Sequence, residues 1–171
     1  METTERREAI LAMLTKAERP LTGTELAVRF GVSRQVIVQD IALLRAAGEQ
    51  ILATPQGYLL PQLQKSDNVQ AVVACQHSRE EIEHELSLVV DLGGKILDVV
   101  VEHPLYGEIK GNLMIASRRD VQNFVKQMDS SQAQPLAVLT AGIHLHTIEA
   151  PTASVLDEIV AALREAGFLV M

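Results

Sequence analysis

Gly31-Val32-Ser33-Arg34-Gln35-Val36-Ile37-Val38-Gln39-Asp40-Ile41-Ala42-Leu43-Leu44-Arg45 is the stretch that decides how the first third of this chain folds. Ser33 stands where a helix needs an N-cap, because a short hydroxyl can accept from a first-turn N–H that has no intrahelical partner. From there Ile37, Ile41 and Leu44 recur at the spacing of one helical face, predicting a helix over residues 34–47 that Gly48 stops. That inner stripe leaves Arg34, Gln35, Val38 and Gln39 on the outer face, near the N-terminus.

Working outward, residues 4–16 carry Ala9, Ile10, Met13 and Leu14 at helical spacing, with Pro20 closing the segment. Thr22 or Thr24 can cap a shorter helix that runs to Phe30 and ends at Gly31. Helix, glycine-containing turn and capped helix make a helix-turn-helix. Beyond Gly48, Ile51-Leu52-Ala53-Thr54-Pro55-Gln56-Gly57-Tyr58-Leu59-Leu60 reads as strand, Pro/Gly turn and strand, which is a wing. Ser33, Arg34, Gln35, Val38 and Gln39 are then the candidate DNA-contacting residues. Arg34 can pair with guanine or phosphate, Gln35 and Gln39 with adenine edges, and Val38 with a thymine methyl. The competing reading is a three-helix module that uses the same pattern for protein contacts.

Composition limits what else the chain can be. At 171 residues, 47% hydrophobic and 22% charged, it has room for one large or two small globular domains. No apolar run approaches the roughly 18 residues of a membrane span, and Met1-Glu2-Thr3-Thr4-Glu5-Arg6-Arg7 lacks an apolar signal region, so the expectation is a cytoplasmic protein. The single cysteine, Cys75, fits a reducing compartment. An aromatic content of 3% without tryptophan argues against base-stacking RNA platforms. Residues 1–63 balance seven basic against seven acidic side chains, which places the whole net charge of −7 in the remainder. The first part is therefore the better polyanion partner. The expected boundaries are a winged helix-turn-helix over 1–63 and a second domain over 69–171, with a polar linker near 62–68.

The second domain reads as α+β. Strands are expected over 70–76, 95–102, 108–115, 136–140 and 143–149, helices over 78–92, 117–128 and 152–165, and a short terminal strand over 168–171. The order favours an antiparallel sheet with helices on one side, an α/β sandwich. No glycine-rich phosphate loop or nucleophile elbow occurs, and Gly93-Gly94 reads as a helix stop.

Histidines supply the chemistry. In Gly142-Ile143-His144-Leu145-His146-Thr147, alternation points His144 and His146 to one face and Ile143 and Leu145 to the other. His77 closes an apolar strand and Glu85 lies eight residues later on the following helix. Three nitrogens and one carboxylate would suit zinc, nickel or iron and leave a position open for a small molecule or water. Cys75 shares the face of His77 and is a candidate ligand, although a plain buried strand cysteine is the commoner arrangement. By spacing alone the His144/His146 pair could equally be exposed strand histidines. His84, between Glu83 and Glu85, reads as solvated, and His103 as a strand end before Pro104.

These strings resemble known families. The Gly31–Arg45 segment with Gly57-Tyr58-Leu59-Leu60 resembles the winged helix-turn-helix of biotin-repressor type, departing from it at Val38 and Gln39, where Ser or Thr and Arg are more usual. Cys75-Gln76-His77, Val101-Glu102-His103-Pro104-Leu105-Tyr106-Gly107-Glu108 and Leu139-Thr140-Ala141-Gly142-Ile143-His144-Leu145-His146-Thr147-Ile148 resemble the three-histidine (3H) domain. Joined, the two resemble nicotinate-responsive transcriptional repressors of NAD biosynthesis. The resemblance implies a homodimer that binds operator DNA with nicotinic acid as co-repressor, and a nickel or zinc ion held by His77, Glu85, His144 and His146. It also implies a ligand-pocket role for His103 and Tyr106. A ligand favouring a dimer whose Arg34-bearing helices lie one DNA turn apart, roughly 34 Å, would strengthen operator binding. Two other classes compete. One is a metal-dependent hydrolase with Glu102 or Glu108 as general base, which would have no need of a winged helix. The other is a structural adaptor that does not bind nucleic acid.

Overall fold

The computed structural model describes residues 2–61 and 67–170. The chain divides into two compact units, Met1–Gln64 and Lys65–Met171. Most of the expected linker, residues 62–66, lies outside the described residues.

The first unit consists of α1 (Thr3–Lys16), α2 (Gly23–Phe30), α3 (Arg34–Ala46), β1 (Leu52–Thr54) and β2 (Gly57–Leu59). Of the two candidate caps of α2, Thr22 is the one used. Its side chain accepts from the Glu25 N–H, and the Glu25 carboxylate accepts in return from the Thr22 N–H at 2.7 Å. Ser33 caps α3 through the Val36 N–H at 3.3 Å. Ile10, Leu14, Leu26, Ile37, Ile41, Leu44 and Ile51 form a single core, so the stripe read from α3 is the face that packs. Each such side chain contributes about 1.5–3 kcal/mol on burial. β1 and β2 pair antiparallel, and Leu21 adds a further rung by exchanging both backbone hydrogen bonds with Tyr58, at 2.9 and 2.8 Å. Gly57 makes this rung possible. Its φ is +128°, and a Cβ there would stand 2.6 Å from the Leu21 carbonyl.

The second unit orders β3 (Val69–Gln76), α4 (Ile82–Asp91), β4 (Lys95–His103), β5 (Gly107–Ile115), α5 (Arg118–Ser131), β6 (Ile143–Ala150) and α6 (Ala153–Glu165). The strands form one sheet in the order β3-β6-β4-β5, and every neighbouring pair is antiparallel. One face of the sheet, with Val73, Ile96, Leu113, Ile115 and Ile148, shares a core with Leu86 and Val89 of α4, Val121 and Met128 of α5, and Ile159 and Leu163 of α6. The architecture is α+β, with the helices on one side as expected.

Residues 136–140, read as a strand, are instead a 3-10 helix, Leu136–Thr140. The reason is topological. A hairpin strand at this place would need an edge of β6, and β6 lies between β3 and β4 with both edges taken. The segment satisfies its backbone locally, with Val138 N–H on Pro135 at 3.1 Å and Gly142 N–H on Ala137 at 2.8 Å. The helix expected over 78–92 opens as a 3-10 turn, Arg79–Glu81, before α4. Of the expected terminal strand, the described part makes only an isolated bridge to the outer edge of β3, Cys75 opposite Leu169.

Candidate metal centre

The centre grows from two adjacent strands and one helix. β3 and β6 pair so that Cys75 lies opposite His144 and Val73 opposite His146. Both histidines of β6 are buried on the core face, while Ile143 and Leu145 point the other way. α4 packs through Ile82, Leu86 and Val89, and Glu85 falls within that apolar stripe, only 2% exposed. A carboxylate at a core position of a helix needs compensation. Here it meets three imidazoles: His77 Nε2 at 2.6 Å and His146 Nε2 at 3.4 Å from Oε2, and His144 Nε2 at 3.5 Å from Oε1. The His77 and His144 ring centroids are 4.8 Å apart, and those of His144 and His146 4.7 Å.

The other nitrogen of each ring is also engaged. Nδ1 of His77 meets the Ser78 carbonyl at 2.8 Å, that of His144 the Gly142 carbonyl at 2.8 Å, and that of His146 the Asp98 carbonyl at 2.6 Å. A carbonyl can only accept, so each Nδ1 carries a hydrogen and each Nε2 is left for the carboxylate side. The Asp98 carbonyl is offered at a β-bulge, where β4 slips register between Ile96 and Asp98. Gly142 is fixed by a close approach. With φ +89°, a Cβ there would lie 2.6 Å from the His77 carbonyl oxygen.

Protonation follows from this arrangement. Burial alone would raise the Glu85 carboxyl, but the imidazoles of His144, His146 and His77 outweigh it and hold it well below the ordinary carboxylate range. Burial alone would lower His77 and His146, yet the Glu85 carboxylate raises both above the usual imidazole value. Burial, with the same carboxylate nearby, pushes the Cys75 thiol up. The Glu85 carboxylate and the imidazoles of His77 and His146 therefore favour one another's charged forms.

The residues fit a transition metal on their own chemistry. Three imidazole nitrogens with fixed tautomers and one carboxylate are the donors zinc and nickel take, and histidine ligands characteristically donate their second N–H to carbonyls, as here. Glu85 Oε1 is enclosed and makes no well-formed hydrogen bond, with His144 Nε2 standing 3.5 Å away. Among the described residues, donor atoms of Cys75, Glu85 and His144 lie within 4.8 Å of one another. Beside the cluster is a cavity of about 450 Å³ whose lining includes Gln76, His77, Arg79, Ile82, Pro135 and Val138. The volume suits a small organic ligand.

The remaining candidates lie elsewhere. His103 and Tyr106 occupy the β4–β5 turn, outside the cavity lining. Their rings stack at 5.0 Å, His103 Nδ1 accepts from the Leu105 and Tyr106 N–H groups at 3.2 and 3.3 Å, and Tyr106 is 71% exposed. Glu102 and Glu108 pair across the same hairpin, exposed, and neither belongs to the histidine cluster. His84 is exposed, its ring centroid 5.3 Å from that of Phe168 in an edge-on arrangement. In the first unit Ser33, Arg34, Gln35 and Gln39 are exposed and Val38 is half-buried, all at the N-terminal end of α3. Sequence reading missed Asp40. It is buried on α3 and paired with Arg6 of α1, Nε to Oδ2 at 2.7 Å, which ties the exposed helix to the core. Its signal was an acidic residue adjoining Ile41 on the inner stripe. Arg79, which bonds Asp129 at 3.1 Å while lining the cavity, was missed as well.

Comparison with known proteins agrees with this two-part construction. The 3H domain family matches residues 70–171 and an HTH domain family matches residues 6–59. A protein of Thermotoga maritima named as the probable transcription repressor NiaR is 46% identical over 166 residues, covering 97% of this chain and 94% of its own length. The transcription repressor NadR of Bacillus subtilis is 44% identical over 167 residues, covering 96% and 93%. Likeness of this degree over both units leaves one assignment: the chain belongs to the family of DNA-binding transcription repressors in which an HTH domain is followed by a 3H domain.

Proposed function

We propose that this chain represses genes of NAD biosynthesis or niacin uptake, with nicotinic acid as co-repressor and a nickel or zinc ion in the 3H unit, acting as a homodimer on operator DNA in the cytoplasm. The observation that carries the sensing half is the convergence of His77, His144 and His146 on Glu85, each Nδ1 held by a carbonyl, beside a cavity of about 450 Å³. The metal, held by His77, Glu85, His144 and His146, would supply a fixed positive charge next to that cavity and an affinity for the carboxylate or ring nitrogen of the ligand. The chain's own residues do the rest. Arg79 can leave Asp129 to meet a ligand carboxylate, and Ile82, Pro135 and Val138 offer apolar surface to its ring. His103 and Tyr106, outside the cavity, are a separate proposal for ligand contact.

For the DNA half, Arg34, Gln35, Val38 and Gln39 would read base edges from the end of α3, with Ser33 holding that end. A ligand that binds the operator-competent form 100-fold more tightly supplies about 2.7 kcal/mol per site, enough for a switch. The hydrolase reading has less support, since Glu102 and Glu108 lie apart from the imidazoles. The test is calorimetric titration of nicotinate into metal-loaded and chelated protein, with Arg79→Ala and Tyr106→Ala alongside. Binding should be strong in the loaded protein, weaken after chelation and weaken in Arg79→Ala. Absence of binding to loaded protein would sink the co-repressor reading, and indifference to chelation would remove the metal from it. Unaltered binding by Tyr106→Ala would discharge the hairpin.

A further inference from the structure

We propose that Cys75 is a direct ligand of the metal centre, its sulfur binding the ion together with Glu85, His144 and the other imidazoles. This rests on the metal reading above and goes beyond its three-histidine, one-carboxylate donor set. Three observations carry it. Sulfur of Cys75, an oxygen of Glu85 and a ring nitrogen of His144 lie within 4.8 Å of one another. Donors bound to one zinc ion at about 2.0–2.3 Å stand roughly 3–3.5 Å apart, so small side-chain movements bring all three onto one ion. Register puts the residue on the right face, for Cys75 pairs with His144 across β3 and β6 and is 0% exposed. Glu85 Oε1, finally, is enclosed with no well-formed hydrogen bond, a buried acceptor facing the place a cation would fill.

Cys75 packs among the apolar side chains of the second unit's core, and its sulfur also lies within reach of a carboxylate and an imidazole. The step is a simple exchange: a sulfur–metal bond forms, the S–H bond breaks, and the proton leaves to solvent with no change of oxidation state. The consequence is selectivity. A site with sulfur added to imidazole and carboxylate prefers zinc, nickel and cobalt to magnesium or calcium.

Cobalt(II) makes the test direct. The full chain is loaded with cobalt, bound cobalt per chain is measured, and the absorption spectrum is recorded for wild type, Cys75→Ser and Cys75→Ala. The wild type should show a near-ultraviolet sulfur-to-cobalt charge-transfer band beside the visible cobalt bands. Both variants should keep the visible bands, lose the near-ultraviolet one and bind cobalt at least ~10-fold more weakly, the scale on which even outer-sphere partners act. Wild-type protein with cobalt bound and no sulfur band overturns the proposal while leaving the histidine site intact. A band that survives in both variants overturns it too. Wild type that binds no cobalt overturns this proposal and the metal reading together. Should the variants not fold, the wild-type spectrum decides alone.

Discussion

Glu85→Gln is nearly isosteric and removes one charge, so it isolates what the buried carboxylate does. In metal-free protein Glu85 faces His77 at 2.6 Å and His146 at 3.4 Å. Its own pKa is held down and theirs are raised, which fixes the pH window by linkage. The depressed carboxyl contributes stability above its ordinary value near 4.5, lost as pH falls through the folded value. The raised imidazoles contribute stability below their ordinary value of 6.5, lost as pH rises through theirs. Both contributions are complete between those limits. There a charge-assisted hydrogen bond of this kind is worth about 2 kcal/mol net, the larger Coulomb attraction being offset by desolvation. Glu85→Gln should therefore lower the unfolding free energy of chelated protein by about 2 kcal/mol at pH 5.5, with the loss shrinking as pH rises through the raised values of His77 and His146. Urea unfolding of both proteins across this range is the assay. Zinc should reverse the pH trend for wild type, because the ion replaces the protons and its binding adds about 2.7 kcal/mol at 100 times the dissociation constant. Equal stability of the two chelated proteins at pH 5.5, or a zinc-induced gain undiminished in Glu85→Gln, would refute the reasoning.

Other substitutions probe neighbouring links. Arg34→Ala should weaken operator binding by about 1–3 kcal/mol while nicotinate titration stays the same, and an unaltered gel shift would count against the groove contact. Gly142→Ala forces a side chain into φ +89° with its Cβ 2.6 Å from the His77 carbonyl. A cost of at least ~2 kcal/mol in unfolding, with reduced metal retention because the Gly142 carbonyl holds His144, is expected; a variant retaining both wild-type melting and metal would show that the approach is relieved cheaply. Ile159→Ala empties a fully buried position of α6 and should cost 2–5 kcal/mol in the transition of the second unit. A loss under ~1 kcal/mol would mean the helix is not packed as described.

Much of this was legible in the linear order of residues, where the physics is local. The caps Thr22 and Ser33, the Ile37-Ile41-Leu44 stripe and the turn at Gly57 act within a few positions, so helix-turn-helix and wing could be read directly. Alternation along β6 likewise put His144 and His146 on one face without any knowledge of the sheet. His77 and Glu85 were candidate partners of that pair by residue type, but preferring a metal set to exposed strand histidines drew on resemblance, because spacing allowed both.

Long-range decisions needed the fold. Residues 136–140 have the composition of a strand, but whether β6 had a free edge depended on where β3 and β4 pair, and neither edge was free. The carbonyl partners of the three rings depend on backbone, and that of His146 on a β-bulge that no side chain announces. The Arg6–Asp40 pair, 34 residues apart, and the meeting of Cys75 with Glu85 and His144 are likewise products of packing. Sequence by itself determined most of the elements and their faces, because caps, periodicity and turn chemistry act between near neighbours. Tertiary structure alone decided which faces meet and which backbone carbonyls fix each imidazole, because those contacts arise only when distant segments share one core.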